Sequence, residues 1–401
     1  MRKFSPYPLH CHFDPLLVSR LNASLSPVDQ QAANTVSVTP GKPPTAQNSL
    51  PLNIEGHDVG YLADVNIGNP PRKFSILMDS GSADFWVGAD SCLSLSVKGA
   101  DCVSDTGHFP FHPLIPLDMQ GNHTFLGPKT STSFVDKQVP FSVTYGSGSM
   151  NGTKVTDDVS IAGLQLLQHN FGVAHQESVQ FTNAAFDGLM GLALSTLSQE
   201  KVPTPVEALA LQGLIQSATT SYKLARVTDD KNDGEVTFGG LDPSKFDQKT
   251  LATVDNVSQT GFWQANIDAV TMNGQPLALA SKTAILDTGT TLMVVPQADV
   301  TAIHKTIPGA QSDGKGGFTI PCTTNVSLAF TFGGQLFSID PVDLAFLPVN
   351  PKDPQGDCLS AITPGDVDGP TVSLLGDTFL KNAYFSTNAD TNTITLAKLK
   401  A

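Results

Sequence analysis

Residues Ile76-Leu77-Met78-Asp79-Ser80-Gly81-Ser82 return in the second half of the chain as Ala284-Ile285-Leu286-Asp287-Thr288-Gly289-Thr290. Each copy is followed by an apolar-glycine motif, Gly188-Leu189-Met190-Gly191-Leu192 after the first and Leu374-Leu375-Gly376-Asp377 after the second. The aspartate-to-glycine interval is 112 residues in the first half and 89 in the second, so the first half holds about 23 extra residues. Two halves sharing one ordered pair of motifs read as duplicated lobes rather than a low-complexity repeat. An Asp preceded by three apolar residues belongs at the end of a buried strand. The Ser/Thr-Gly after it turns the chain sharply, with Gly free to take positive φ. If two such lobes pack about a two-fold axis, Asp79 and Asp287 face each other.

Two carboxylates in that position cannot both ionise, so they share a proton and titrate as a unit. The pair is then an acid and a base at one spot, suited to activating a water against a carbonyl group. Ser80 and Thr288 carry a hydroxyl at the same offset, suited to bonding backbone across the axis. Ser82 and Thr290 supply another, suited to holding the carboxylates. A single Asp-Ser/Thr-Gly reads more readily as a surface turn. The duplication, the apolar flanks and the matched downstream motifs turn that reading towards chemistry.

Composition agrees with a strand-rich body. At ~100–200 residues per domain the 401 residues suffice for two or three domains, or one large two-lobed one. The 34 glycines and 28 prolines limit helix length. With 23 Lys+Arg against 37 Asp+Glu the net charge is −14, which argues against nucleic acid or an anionic membrane as partner. No apolar run approaches the ~18 residues needed to cross a bilayer. Residues 1–50 are Pro-, Ser- and Asn-rich with net charge +2, against −16 for the rest, and read as a pro-segment or a disordered tail. From Gly60 short strand-like runs follow one another; the best helical window is Pro205 to Gln216. Five Asn-x-Ser/Thr sequons, at Asn22, Asn122, Asn151, Asn256 and Asn325, favour the secretory route. Met1-Arg2-Lys3 is not followed by an apolar h-region, so no signal peptide is visible; a truncated or misassigned start is the favoured expectation, export by another route the alternative. Secretion is the favoured destination and the vacuole the alternative.

The motifs together resemble the pepsin-like aspartic endopeptidases, with a fungal texture, over essentially everything from Gly60 to Ala397. Phe74 to Val87 and Ile285 to Thr291 look like the two catalytic motifs, and Val143-Thr144-Tyr145-Gly146-Ser147-Gly148-Ser149 is similar to the flap. Phe186 to Leu192 and Leu374 to Leu380 match the paired hydrophobic-glycine motifs. The resemblance implies an all-β fold of two homologous, six-stranded-barrel-like lobes, 51–250 and 251–401, with a deep cleft and a β-hairpin flap. It implies Asp79 and Asp287 as the catalytic pair, supported by Ser80, Gly81, Ser82, Thr288, Gly289 and Thr290. Tyr145 would be the flap tyrosine, its hydroxyl bonded to Trp86 and its ring walling the primary specificity pocket. Gly146 and Ser147 would offer backbone donors to substrate. Leu77, Leu189 and Met293 are candidate pocket liners, with plain core packing the alternative.

No metal or organic cofactor is implied, because water is the nucleophile. The expected partner is an extended peptide or protein substrate cut between bulky apolar residues at acid pH; the chain is expected to be a monomer without a membrane anchor. By resemblance Cys322 pairs with Cys358 and Cys92 with Cys102, leaving Cys11 in a removed segment, although four cysteines allow three connectivities. Tyr145 lies 66 residues after Asp79, longer than usual for the family, and the excess falls in 91–137. His108 and His112 there have helical metal-ligand spacing, but Pro110 between them speaks against a helix and hence against zinc. Two other readings compete. A two-carboxylate glycosidase need not place its acids in duplicated turns. A non-catalytic binding or inhibitor protein on the same fold typically lacks an Asp or the flap residues.

Overall fold

The computed structural model describes residues 37–94, 123–182, 184–314 and 316–400. Strands Gly60–Ile67 and Arg72–Asp79 form an antiparallel hairpin whose inner face carries Ile67, Phe74, Ile76 and Met78, all fully buried. The catalytic-motif strand Arg72–Asp79 lies parallel to Gly188–Gly191, with Gly191 opposite Asp79. That strand in turn pairs antiparallel with Phe85–Ser94. Phe85–Ser94 runs parallel to Leu164–Glu177, which makes a long hairpin with Ser149–Ile161. Ser149–Ile161 returns to Gly60–Ile67 through Asn66 and Ile67. The six strands therefore close on themselves, leaving this part of the sheet without an unpaired edge.

The second lobe repeats the central arrangement. Thr283–Leu286 is parallel to Val372–Leu375, with Leu286 opposite Leu375, and Met293–Val295 pairs antiparallel to the same strand. It does not repeat the closure: the lobe is a five-stranded sheet and two four-stranded ones. Its strands are 2–5 residues long, whereas five of the six barrel strands in the first lobe run 8–14 residues.

A six-stranded sheet joins the lobes, in the order Ala252–Asp255, Thr393–Ala397, Tyr384–Asn388, Thr219–Lys223, Glu235–Phe238 and Ser49–Pro51. The last of these comes from near the N-terminus, so a boundary drawn at residue 50 falls inside a strand. Thr45 just before it bonds Glu235 and Asp242 with its hydroxyl. A buried ion cluster also links the halves: Lys381 lies 3.0 Å from both Asp58 and Asp343, and Arg226 makes a forked contact with Asp343. Such a cluster costs desolvation but fixes geometry, since removing one member strands the others.

The expected helix over Pro205 to Gln216 is Pro205–Leu211, opened by Pro and a capping box between Thr204 and Glu207. It ends early because Gly213 takes positive φ (70°) and the Leu214 N–H turns back to the Leu209 carbonyl. Cys322 and Cys358 form a disulfide. Cys92 is disulfide-bonded too, but Cys102, like Cys11, His108, His112, Asn22 and Asn122, lies outside the described residues. Among the described residues no helix is long and apolar enough to cross a membrane.

Candidate active site

Each catalytic motif leaves its strand at the aspartate and folds back on it. Gly81 N–H donates to Asp79 Oδ1 at 2.7 Å and Gly289 N–H to Asp287 Oδ1 at 2.8 Å. The Ser82 hydroxyl donates to Asp79 Oδ2 and the Thr290 hydroxyl to Asp287 Oδ2, at 2.5 and 2.6 Å. The two sites match donor for donor, as the sequence duplication requires. Both loops are clamped from behind by the second motifs. A Cβ on Gly191 would lie 2.5 Å from the Asp84 nitrogen, and one on Gly376 2.1 Å from the Thr290 carbonyl oxygen, so only glycine allows the approach.

Ser80 and Thr288 cross the interface. Ser80 N–H donates to Thr288 Oγ1 at 3.0 Å and Thr288 N–H to Ser80 Oγ at 2.9 Å. The hydroxyls then donate onward, Ser80 to the Leu286 carbonyl and Thr288 to the Met78 carbonyl, at 3.0 and 2.6 Å. Four hydrogen bonds between fully buried residues lock the loops together and fix the carboxyl groups relative to each other. Gly81 and Gly289 have ordinary φ, contrary to the expectation that the turn needs a left-handed glycine. They are required by proximity instead: a Cβ on Gly81 would lie 2.3 Å from the Asp287 carboxyl, and one on Gly289 2.3 Å from that of Asp79.

Asp79 and Asp287 are 0% and 1% exposed. Burial, then the charge of Asp79, pushes the Asp287 carboxyl far above the ordinary carboxylate range, outweighing the Thr290 and Gly289 bonds that favour its anion. The pair therefore holds a proton at pH values where isolated carboxyls are ionised. Behind it, Asp377 is fully buried, neither oxygen has a hydrogen-bond partner among the described residues, and burial drives its carboxyl well above the ordinary carboxylate range. Its place in the Leu374-Leu375-Gly376-Asp377 motif was visible in sequence; its burial was not.

The flap is the hairpin of Val135–Thr144 and Ser149–Ile161, closed at its tip by Tyr145 N–H to the Gly148 carbonyl, 2.7 Å. Gly146 and Ser147 lie in this tip. The Trp86 Nε1–H donates to the Tyr145 hydroxyl at 2.7 Å, joining the flap to the strand beyond Asp79. Tyr145, Trp86, Leu77 and Leu189 form a small apolar cluster distinct from the main core, together with Phe181 and Phe186. Phe181 stands edge-on to Tyr145, ring centres 5.6 Å apart. Phe186 opens one of the hydrophobic-glycine motifs in the sequence, whereas Phe181 carries no sequence signal beyond lying five residues before it. Met293 lies elsewhere, wholly buried in the main core opposite Leu375. No group of His, Cys, Asp and Glu able to hold a metal occurs among the described residues.

Comparison with known proteins agrees with this geometry. The family model described as eukaryotic aspartyl protease matches residues 60–399. A probable aspartic-type endopeptidase CTSD of Arthroderma benhamiae is 32% identical, over the whole of this chain and 72% of that protein. Rhizopuspepsin of Rhizopus chinensis is 30% identical over 85% of this chain and 79% of its own. A probable vacuolar protease A of Arthroderma benhamiae is 28% identical over 88% of this chain and 84% of its own. A cross-lobe aspartate pair built from duplicated motifs, in a chain matched along its body by that model, makes this protein a member of the eukaryotic aspartyl protease family and an aspartic-type endopeptidase.

Proposed function

We propose that the protein hydrolyses peptide bonds between bulky apolar residues at acid pH, using a water activated between Asp79 and Asp287. The ionised carboxyl takes a proton from water as its oxygen bonds to the peptide carbon. The protonated carboxyl gives its proton to the carbonyl oxygen; as the resulting diol collapses and the C–N bond breaks, a diol hydroxyl proton returns to that carboxylate and the other carboxyl passes the proton it took from water to the leaving amine. The observation carrying this reading is the buried, matched pair of carboxyls locked by Ser80 and Thr288. The apolar cluster of Leu77, Tyr145, Phe181, Phe186 and Leu189 beside it supports a preference for large apolar side chains. An extended segment is the natural substrate, since a hairpin flap offers main-chain pairing. Three sequons within the described residues support secretion, with no bearing on the chemistry.

The test is cleavage of a denatured protein from acid to neutral pH, with and without a statine-type transition-state analogue. Acid-limited cleavage blocked by the analogue is expected, and Asp79→Asn or Asp287→Asn should abolish it without loss of fold. Residual activity above about a tenth of wild type in either variant, where removing one general acid–base group should cost ~10²-fold or more, would sink the assignment.

A further inference from the structure

His123 lies 35 or more residues from every catalytic motif in the chain, yet its side chain is only 8% exposed and sits under the pocket cluster. Its Nε2 is 3.2 Å from the Thr182 carbonyl oxygen, and its Nδ1 is 3.5 Å from Asp187 Oδ1. Asp187 already accepts the N–H groups of Ser75 and Thr124, each at 2.8 Å. Both ring nitrogens thus face acceptors. A neutral imidazole has one N–H and would set a lone pair against one of them; only the imidazolium satisfies both. Thr182 closes the short helix Val179–Thr182 that carries Phe181 onto Tyr145 and, at 5.3 Å, onto Trp86. Downstream, Glu55 holds the Ala185 N–H at 3.0 Å, and Asp187 follows Phe186 directly.

We infer that His123 is a positioning residue for the aromatic wall behind Tyr145, its imidazolium tying the Thr182 carbonyl to Asp187 and so holding Phe181 in place. This rests on the reading of Tyr145 as a wall of the substrate pocket. The groups facing the ring are Asp187, Glu177 and Glu55, with Arg72 bonded to the carbonyl of Phe125 two residues on. Asp187 raises the ring's affinity for its proton against the opposing effect of burial. The clasp is therefore complete in acid and is lost as pH rises through the ring's folded-state value. Burial keeps Glu55 protonated in acid and lifts Glu177 to about 7; ionisation of Glu177 near neutrality favours the imidazolium and delays the loss.

Two measurements decide it. The chain has two tryptophans, and Trp86 touches Phe181, so wild-type emission should show a step, as pH rises past the ordinary imidazole value, that is absent in His123→Gln. On peptides with Phe, Leu or Ala before the scissile bond, His123→Gln at acid pH should raise KM for Phe and Leu about fivefold to tenfold, leaving kcat and the Ala peptide nearly unchanged. Phe181→Leu should raise KM for the Phe and Leu peptides by a similar factor, and the double variant should be no worse on them than either single one. Wild-type emission without a step, or a His123→Gln panel with wild-type KM ratios, overturns the inference. A wild type that cleaves no peptide would refute the endopeptidase reading, while the emission titration needs no turnover and still decides the role of His123; a missing wild-type step refutes that role whether or not the variant folds.

Discussion

Gly81 and Gly289 each lie against the other lobe's carboxyl, and an added methyl group should act as a wedge. In Gly81→Ala the new Cβ would sit 2.3 Å from Asp287 Cγ and Oδ1, where contacts of real Cβ atoms do not fall below 3.0 Å. The lobes must part locally by about 0.7 Å, and they must do so against the four hydrogen bonds of Ser80 and Thr288. Since a misplacement of ~1 Å in reacting groups costs about 10²-fold, kcat/KM should fall by roughly that factor. Overpacking typically costs ~1–3 kcal/mol, which for a lobe of this size lowers the melting temperature by roughly 2–12 °C. Gly240→Ala is the control: a Cβ there meets nothing within 4 Å and the φ is ordinary. The assay is kcat/KM on one peptide alongside thermal melts of both variants. A Gly81→Ala enzyme within threefold of wild type, or a Gly240→Ala enzyme equally damaged, would refute the wedge.

Tyr145→Phe removes the acceptor of the Trp86 N–H and leaves a buried donor without a partner, worth ~1–3 kcal/mol. A fall in kcat/KM of about tenfold in steady-state kinetics is expected, with the melting temperature lowered by roughly 2–12 °C; unchanged kinetics would remove the tyrosine from the flap role. Stability should fall as pH rises from about 5 to 8, read as a declining melting temperature. The folded-state values of Asp287, Asp377, Glu55, Glu177 and Glu200 are raised above the unfolded ones, chiefly by burial, so the folded state releases these protons later than the unfolded chain does, and His123 acts in the same direction. The lowered carboxyls Asp343, Asp233 and Asp242 are already ionised there and add no slope, while buried His169 and His304 oppose it only below about pH 6.5. Expressed through a eukaryotic secretory pathway, the chain should carry N-glycans at Asn151 and Asn325, which are exposed, and none at Asn256. The Asn256 side chain is 8% exposed, donates to Asn392 and accepts the N–H groups of Ser258 and Gln264. Peptide mass mapping after deglycosylation in heavy-oxygen water reads this directly; occupancy at Asn256 would contradict it.

The two lobes, the facing aspartates and the hydroxyls that hold them were legible in the chain because duplication writes the same local chemistry twice. Asp-Ser/Thr-Gly after three apolar residues dictates strand, turn and carboxyl by short-range rules, and Thr204 with Glu207 dictates a helix start in the same way. What the sequence could not state is which distant groups share a space. It suggested that Gly81 served backbone conformation, whereas the constraint is the carboxyl of Asp287 brought there from the other lobe. It offered pocket lining and core packing as even alternatives for Leu77, Leu189 and Met293, whereas burial and register put Met293 in the main core and Leu77 and Leu189 in the cluster of Tyr145, Phe181 and Phe186. His123 carried no signal at all, since its meaning lies in two acceptors that come to it from Thr182 and Asp187. Local hydrogen bonding and steric preference act over a few residues and leave a readable pattern. Proximity, desolvation and the charge of a neighbour act through space, and only the packed chain decides them.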